Sequence, residues 1–268
     1  IMAAITAYTL NTAEQLDLFY SEDGNLNFEV LMNLMSQKAA PIDVEGKING
    51  EGFINPRFDN INGSEMLVAY GVSLVNLGNY FEPRFENDVM TSREEQYNFY
   101  SKAYIIITKD STLILKFDNS VEEKVRSKVK ALVEDLGFEA SVFKLDNELL
   151  REIQHDQDLD WSAAKIDRID KDGDKTTKVS YEIDLADNVN SSQVDDHYRN
   201  SGKLSHLKFQ LPYDAIGSND KITIKLYNDG HRIVFEENEL NNSPLNEFIL
   251  YLITRLKLLK NGIMNTVR

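Results

Sequence analysis

The sequence predicts an α+β protein with mixed or antiparallel sheets, two β-β-α units and a C-terminal amphipathic helix. Ala103–Thr108 and Thr112–Phe117 are apolar, β-branched runs separated by three polar residues, a pattern typical of a hairpin in a sheet core. A helical pattern of apolar residues follows this hairpin directly. Strand and helix patterns return in the same order before the C-terminus, which gives the second β-β-α unit and the closing helix.

The helix after the first hairpin has both of its ends marked in the sequence. Ser120 and Glu123 have the spacing of a capping box, and Gly137 is placed to end the helix with a positive φ. Apolar residues at three- and four-residue steps predict one buried face: Val121, Val125, Val129, Leu132, Val133 and Leu136. Four cations, which a solvated surface explains more simply than a nucleic-acid contact, lie on the outer face: Lys124, Arg126, Lys128 and Lys130.

The chain before this hairpin predicts a strand over Ile5–Leu10 and a helix over Phe28–Met35. The apolar run Met66–Leu77 predicts one long strand, or two strands that are broken near Gly71. Because Phe81-Glu82-Pro83 ends in a residue without an N–H, we expect the chain to turn there.

The chain beyond the central helix predicts a strand over Ala140–Leu145 and a helix over Asn147–Gln154. Ile166–Ile169 and Lys178–Ile183 are expected to pair around the acidic turn 170–174. The last part is predicted as three strands and a helix that begins after Pro244: Leu204–Leu211, Lys221–Tyr227, Arg232–Glu236 and the closing helix. We therefore expect three regions: an N-terminal α+β region (1–98), a central β-β-α-β unit (99–155) and a C-terminal β-rich region with the closing helix (156–268).

Composition excludes several classes of protein. The sequence has no cysteine, which excludes disulfides, thiolate catalysis and cysteine-ligated zinc. No apolar run reaches the roughly 18 residues of a membrane-spanning helix, and no signal-peptide pattern begins the sequence. A sequence rich in Asn, Asp, Lys and Ser with these properties is expected to be a cytoplasmic protein of bacterial or phage origin that does not contact a membrane.

Charge is unevenly distributed along this chain of net charge −15. Lys and Arg number 5 against 15 Asp and Glu in residues 1–100, 15 against 22 in residues 101–200, and 9 against 7 in residues 201–268. Because attraction to phosphate depends on local charge, an acidic protein can still bind DNA through one basic surface. The alternative is that the acidic surface itself is functional, as in proteins that mimic DNA.

The motifs do not favour an enzyme, a metal site or a cofactor. The acidic turn 170–174 does not fit a calcium loop, because aligning Gly173 with the sixth position puts Val179 where a Glu is required. The four histidines lack the spacing of a metal site. Glu45-Gly46-Lys47 and Glu122-Glu123-Lys124 contain the Glu-x-Lys fragment of magnesium-dependent nucleases, without an acidic partner upstream on a strand. With no phosphate loop or dinucleotide fingerprint either, we expect no catalytic residue, metal or cofactor.

The strongest candidates for binding phosphate are six cations in the basic part of the chain: Lys203, Lys208, Lys221, Lys225, Arg255 and Lys257. Since alternate residues of a strand share a face, Lys221 and Lys225 can lie together, whereas Lys203 joins Lys208 only if a bulge intervenes. The two helical cations extend this patch only if the closing helix lies beside the same sheet edge.

Several short motifs occur in a characteristic order along the chain. They are Gly52-Phe53-Ile54-Asn55-Pro56, the strand Met66–Val72, Phe81-Glu82-Pro83, Phe99 at the hairpin entry, Leu136-Gly137, Ser201-Gly202-Lys203, Asn228-Asp229-Gly230 and the apolar closing helix. In this order the chain resembles the recombination-associated protein RdgC, a nucleoid DNA-binding family of bacteria. The resemblance implies a non-enzymatic homodimer that closes into a ring around DNA, binds without sequence preference and limits recombinase access. Tyr97 and Phe99 would then lie near the family's aromatic gate position.

We therefore expect a sequence-independent DNA-binding protein, acting as a homodimer that limits access of recombination or other DNA-handling proteins. Its DNA contacts would be the six cations, Tyr97 and Phe99, with Lys124 and Lys128 of the central helix as a further candidate surface. Two alternatives stay open. One is an acidic inhibitor, of phage or anti-defence type, that binds another protein. The other is a metal-dependent nuclease.

Overall fold

A computed structural model of the chain describes residues 2–12, 17–61, 63–167, 180–184, 202–213, 220–241 and 243–266. The chain divides into two compact units. The N-terminal unit is Tyr8–Ser141, and the C-terminal unit consists of Ile1–Ala7 with Val142–Arg268. Strand β1 (Met2–Thr12) contributes its first half to the C-terminal unit and its second half to the N-terminal unit.

The N-terminal unit is built on antiparallel strands. Its strand order is β2-β3-β4-β5, and β6 pairs with β1. The bounds are β2 (Gly52–Ile61), β3 (Ser64–Glu86), β4 (Val89–Thr108), β5 (Thr112–Phe117) and β6 (Phe138–Val142). Two helices cover the sheet: α1 (Phe28–Gln37) packs against β2, and α2 (Arg126–Glu134) packs against β3.

The C-terminal unit holds a second antiparallel arrangement, in which the first half of β1 is followed by β11, β10, β9, β7 and β8. The strand bounds are β7 (Asp160–Asp167), β8 (Ser180–Asp184), β9 (Lys203–Tyr213), β10 (Asp220–Tyr227) and β11 (Arg232–Glu236). Its described helices are α3 (Asn147–His155) and the closing helix α4 (Leu245–Thr266). Asp146 caps α3 by accepting a hydrogen bond from the Leu149 N–H at 3.1 Å.

The predicted fold class is confirmed: the protein is α+β, its strand pairs are mostly antiparallel, and it ends in a helix. The two β-β-α units are β4-β5-α2 and β10-β11-α4. The strands around the acidic turn also pair as predicted, with Ile166 opposite Tyr181, whereas the turn 170–174 itself lies outside the described residues.

The compact units divide the chain differently from the predicted regions 1–98, 99–155 and 156–268. The first predicted boundary falls inside β4, which pairs with β3 on both sides of it: Val75 lies opposite Phe99, and Asn79 lies opposite Gln96. A strand that is hydrogen-bonded to the same neighbour along its length belongs to one unit. The hairpin therefore carries the N-terminal unit past position 98.

Helix α2 buries a narrower face than the sequence predicts. Val125, Val129 and Val133 are fully buried, and Lys124 and Lys128 are exposed, as predicted. The prediction that Leu132 and Val121 are buried is wrong, because Leu132 is only half-buried and Val121 is exposed. The buried residues are spaced four apart, and Leu132 lies about 100° around the helix from Val133.

The start of this helical segment is capped one residue earlier than the sequence predicts. The Asn119 side chain accepts hydrogen bonds from the N–H groups of Val121 and Glu122, at 3.1 and 2.9 Å. Glu122 in turn accepts from the Asp118 N–H at 3.0 Å. The predicted capping box of Ser120 and Glu123 is therefore wrong, since Asn is as strong an N-cap as Ser and takes the position before it. Gly137 closes the segment with φ +118°, as predicted.

Strand β3 runs without a break through Gly71, so the first of the two predicted alternatives holds. The prediction of a turn at Phe81-Glu82-Pro83 is wrong: these residues lie within β3, and the chain reverses at Asn87-Asp88. Both turn residues have positive φ, 50° and 62°, which suits a two-residue hairpin turn. Pro83 is tolerated because this part of β3 has a described strand on one side only, so no second ladder needs its N–H.

Among the described residues, no helix has both the length and the hydrophobicity that a membrane crossing requires.

Candidate functional site

Five lysines from three strands gather on one face of the C-terminal unit's sheet. The opposite face is core: Leu207, Phe209, Ile222 and Ile224 are each at most 1% exposed. Because neighbouring residues of a strand point to opposite faces, the residues between them turn outward. This outward surface, called the lysine face here, carries Lys165, Lys203, Lys208, Lys221 and Lys225.

A β-bulge brings Lys203 to the same face as Lys208. Lys165 lies opposite His206 and Ile166 lies opposite Leu204, so β9 has one more residue than β7 at this point. Leu204 and Leu207 are accordingly both buried although they are three residues apart. The structure therefore contains the bulge without which Lys203 and Lys208 could not share a face.

Lys208 and Lys225 lie directly opposite each other on β9 and β10. Within the described ranges, neither their side chains nor that of Lys165 has a hydrogen bond or an ion pair. Like charges at directly opposite positions destabilise a pair of strands. An anion held between them would replace this repulsion by attraction, so the pair is suited to binding a negatively charged group.

His206 lies among these lysines. Its ring stacks on that of Tyr227, with centroids 4.6 Å apart and planes 13° from parallel. Burial lowers the pKa of His206; Glu182 acts in the opposite direction, and Lys225, Lys165 and Lys208 lower it further. The imidazole is therefore held neutral near pH 7, and the positive charge of the face comes from the lysines.

We expect the pKa of His206 to lie below its ordinary value of about 6.5 and to rise when Lys208 and Lys225 are both replaced by Gln. The folded protein takes up this proton less readily than the unfolded chain does. His206 therefore lowers stability as the pH falls through the unfolded pKa towards the folded pKa. NMR titration of the imidazole measures both effects, and a pKa at or above the ordinary value would contradict the assignment.

Carboxylates at the margin of the lysine face balance part of its charge. Lys221 pairs with Asp160 at 2.5 Å, and with side chains 53% and 68% exposed this pair is worth little in water. Glu182 lies opposite Lys165, and Asp167 lies opposite Lys203. Among the described residues, no carboxylate lies directly opposite Lys208 or Lys225 in the strand register. Beside β10, the carboxylate of Glu239 accepts a hydrogen bond from the hydroxyl of Thr223, two residues before Lys225, at 3.1 Å.

The two helical cations do not extend the lysine face. The Phe248 ring of α4 packs 5.0 Å from Phe235 and 5.1 Å from Tyr213, which places α4 on the buried side of the sheet. Arg255 pairs with Asp156 at 3.2 Å and approaches Asp158 at 3.8 Å. Lys257 is half-buried on the same helix.

The other predicted contact residues all belong to the N-terminal unit. Lys124 is exposed, whereas the Lys128 ammonium donates to the Leu74 carbonyl at 2.6 Å. Tyr97 and Phe99 lie on β4 with their rings 6.0 Å apart, and Tyr97 is 56% exposed.

Sequence reasoning missed three residues at the lysine face: Lys165, His206 and Arg232. Lys165 stands in an acidic segment, and only the pairing of β7 with β9 brings it beside His206. Arg232 lies opposite Tyr227 and places its guanidinium 5.7 Å from the centre of that ring. The alternation of apolar and polar residues along β9 and β10 indicates which residues share a face of each strand. It does not show which residues of different strands are neighbours, because that depends on the register between the strands.

The two Glu-x-Lys fragments serve local structure. Asp43 accepts hydrogen bonds from the N–H groups of Glu45 and Lys47, at 2.9 and 2.8 Å, in a turn where Gly46 has φ +84°. Glu122 binds the Asp118 N–H, as described above. Within the part of the chain that the structure describes, no group of three or more His, Asp or Glu side chains could hold a metal ion.

A second surface stands out in the N-terminal unit. Beyond a bulge between Asn76 and Asn79, where Gly78 has φ +105°, β3 and β4 continue as a two-stranded hairpin. We call residues 76–98 the hairpin arm. Among the described strands β2 pairs with β3 only as far as Val72, and β5 pairs with β4 only from Tyr104. None of the strands that the structure describes therefore pairs with either edge of the arm.

The two faces of the arm carry different kinds of side chain. Its ionic face holds Arg84 between Glu82 and Glu95, at 2.9 and 3.8 Å, with Arg93 3.0 Å from Glu95. Strand alternation places the remaining side chains on the apolar face: Asn79, Phe81, Pro83, Phe85, Met90, Ser92, Glu94 and Gln96. Phe81, Phe85 and Met90 are 67%, 67% and 66% exposed.

No family model matches the chain, and no curated protein matches it in sequence.

Proposed function

We propose that the protein binds nucleic acid without enzymatic chemistry, and that the lysine face contacts the phosphates. The observation that carries this proposal is the facing pair Lys208 and Lys225, which lies beside Lys165 and, among the described residues, has no hydrogen-bond or ion-pair partner. Lysines on adjacent strands offer several ammonium groups to one polyanion. Contacts of this kind neutralise phosphates and carry no base preference.

The proposal agrees with the resemblance to the RdgC family, which would make the protein a sequence-independent DNA-binding protein that limits access to recombination. Net charge does not oppose it, because the attraction acts over about 8–10 Å at physiological salt. Within the C-terminal unit, a phosphate at the lysine face meets the lysines and the carboxylates of Asp160, Asp167 and Glu182. Two further carboxylates lie beside β10. Glu236 shares a face with Val234, which is opposite Lys225. Glu239 accepts a hydrogen bond from the Thr223 hydroxyl at 3.1 Å. The N-terminal unit, with 12 Lys and Arg against 22 Asp and Glu, carries most of the excess acid.

The test is duplex binding by the full chain across a salt series. Replacing both Lys208 and Lys225 by Gln should weaken binding at low salt and flatten the slope of log K against log salt by up to about two units, one for each phosphate that a lysine no longer neutralises. The fold should survive, since outward-facing substitutions usually change stability by less than about 0.5 kcal/mol. A mobility shift at about 50 mM salt, followed by anisotropy at higher salt, measures the effect.

Two further variants serve as matched controls. Lys124→Gln with Lys128→Gln makes the same charge change on the outer face of α2 and its preceding turn, and should leave binding unchanged. Asp160→Asn releases Lys221 from its ion pair and should strengthen binding. Loss of binding in the helix variant alone would move the site to the N-terminal unit, and a wild-type chain that never shifts DNA at low salt would end the proposal.

A second candidate function, an acidic protein that inhibits a DNA-handling enzyme, is favoured by the acidic N-terminal unit and by the exposed aromatic side chains of the arm. It is distinguished by a stoichiometric complex with such an enzyme and by no DNA binding at low salt. Loss of DNA substrate that requires magnesium would instead indicate a nuclease.

A further inference from the structure

We infer that the apolar face of the hairpin arm is a docking surface for the same face of a second copy of this chain. The inference rests on the geometry of the arm and does not depend on nucleic-acid binding. An isolated two-stranded hairpin is at best marginally stable in water, because one of its faces has nothing to pack against. A second copy would supply the missing layer.

The area is that of a weak, specific interface. For side chains of roughly 200 Å², the observed exposure of Phe81, Phe85 and Met90 leaves about 130 Å² of each in water. Two copies that covered these three side chains would bury about 800 Å², and Pro83 with the flanking polar groups brings the total to about 1,000 Å². This is the lower limit for a stable interface, so we expect a dimer that dissociates on dilution.

The charges of the arm are arranged so that this face can be covered. The ionic face satisfies its arginines within the arm through Glu82 and Glu95. The apolar face carries one charged residue, Glu94, and its carboxylate accepts a hydrogen bond from Asn79 at 2.5 Å. Without a cation this face offers nothing to a phosphate. The carboxylates of Glu86 and Asp88 at the tip also oppose insertion into an anionic membrane surface.

The aromatic residues that β3 places on the apolar face match each other under two-fold symmetry. Phe81 and Phe85 lie at equal distances on either side of Pro83, which pairs with Ser92. A two-fold axis that runs across the strands, level with this pair and between the two faces, places Phe81 of one copy opposite Phe85 of the other. The same axis brings the two Ser92 residues opposite each other, and it places Met90 of one copy opposite Glu94 of the other, whose carboxylate keeps its hydrogen bond from Asn79. No second, differently shaped surface is needed.

Sedimentation equilibrium of the full chain over a wide range of concentration tests the inference. The average mass should rise from 30.7 kDa towards twice that value. Replacing Phe81 and Phe85 by Ser should weaken self-association by at least about tenfold, as expected when central aromatic anchors are removed. Tyr80→Ser with Val89→Ser is the matched control, because these residues are 47% and 57% exposed on the ionic face of the same hairpin.

A cross-linking experiment leaves the apolar anchors intact. Because the sequence has no cysteine, Ser92→Cys introduces a single thiol at the expected axis. A short bismaleimide should link two Ser92→Cys chains, and it should not link Thr91→Cys chains, whose thiol would lie on the ionic face. Addition of unmodified wild-type chain should compete with the reaction.

Three results would overturn the inference. They are a wild-type mass that stays at 30.7 kDa at every concentration, self-association that persists in the Phe81→Ser/Phe85→Ser variant, and equal cross-linking from both arm positions. The first would leave the face to a different partner, and the other two would place the dimer interface elsewhere. DNA binding by a chain that stays monomeric would overturn this inference alone.

Discussion

Replacing Phe248 by Ala is expected to destabilise the C-terminal unit by about 3–5 kcal/mol. Phe248 is fully buried, and its ring meets Phe235 and Tyr213 at near-perpendicular angles, 67° and 72°. Removal of the ring loses this edge-to-face packing and leaves a cavity between α4 and the sheet. Urea denaturation followed by fluorescence of Trp161, the only tryptophan of the chain, reports on this unit.

Leu258→Ala provides the control on the same helix. Leu258 is 59% exposed, so its replacement removes apolar atoms from the same helix without opening a cavity, and we expect a change within about 0.5 kcal/mol. Similar costs for the two variants would mean that α4 does not pack through Phe248. The helix would then have to be rotated about its axis relative to the sheet.

Replacing Gly71 by Ala is expected to destabilise the N-terminal unit by about 1–3 kcal/mol. A Cβ at this position would lie 2.5 Å from Cγ1 of Val129 and 2.9 Å from Cδ1 of Ile105. Val129 is fixed on α2 by full burial, so α2 would have to move away from β3. Hydrogen exchange of the β3 and β4 amides, read together with urea denaturation, measures the loss.

The double variant Gly71→Ala/Val129→Ala tests the cause. Truncation of Val129 removes two of the three methyl groups that the new Cβ would meet, including the nearest, and leaves Cδ1 of Ile105. The double variant should therefore cost less than the sum of the two single variants, by a coupling energy of about 0.5–3 kcal/mol. Additive costs would show that the strain at Gly71 has another origin than contact with α2.

The local elements of the fold could be predicted because their signals are local. The hairpin around Lys109–Ser111, the helix α3 and the closing helix each follow from a pattern of neighbouring residues. The arm could not be recognised in this way, since Pro83 reads as a turn residue in sequence. Pro83 lies in a strand because it pairs with Ser92. The sequence signal for this hairpin is its turn, Asn87-Asp88, since Asn and Asp tolerate the positive φ that a two-residue hairpin turn requires.

The candidate site shows the same limit in another form. The four predicted strand lysines do share one face, but Lys203 reaches it only through a bulge that leaves no mark in the sequence. The sequence could not show whether Arg255 lies at the lysine face. A helix packs on the apolar face of a sheet, and which face is apolar is known only once the strands are paired. Phe248, Phe235 and Tyr213 make that decision through contacts between distant parts of the chain.

Strand β1 has a consequence for how the protein is made. Its residues Met2–Ile5 pair with Ile233–Glu236, so they find their neighbour only after residues 233–236 have been synthesised. Until then Ala3 and Ile5, which are fully buried in the finished molecule, stand at an open apolar edge of the kind that recruits other chains. The N-terminal unit, Tyr8–Ser141, is synthesised before residues 233–236. We therefore expect the pairing of β1 with β11, which closes this long loop, to be the slow step of folding during synthesis. The nascent chain should be most prone to aggregate before that step.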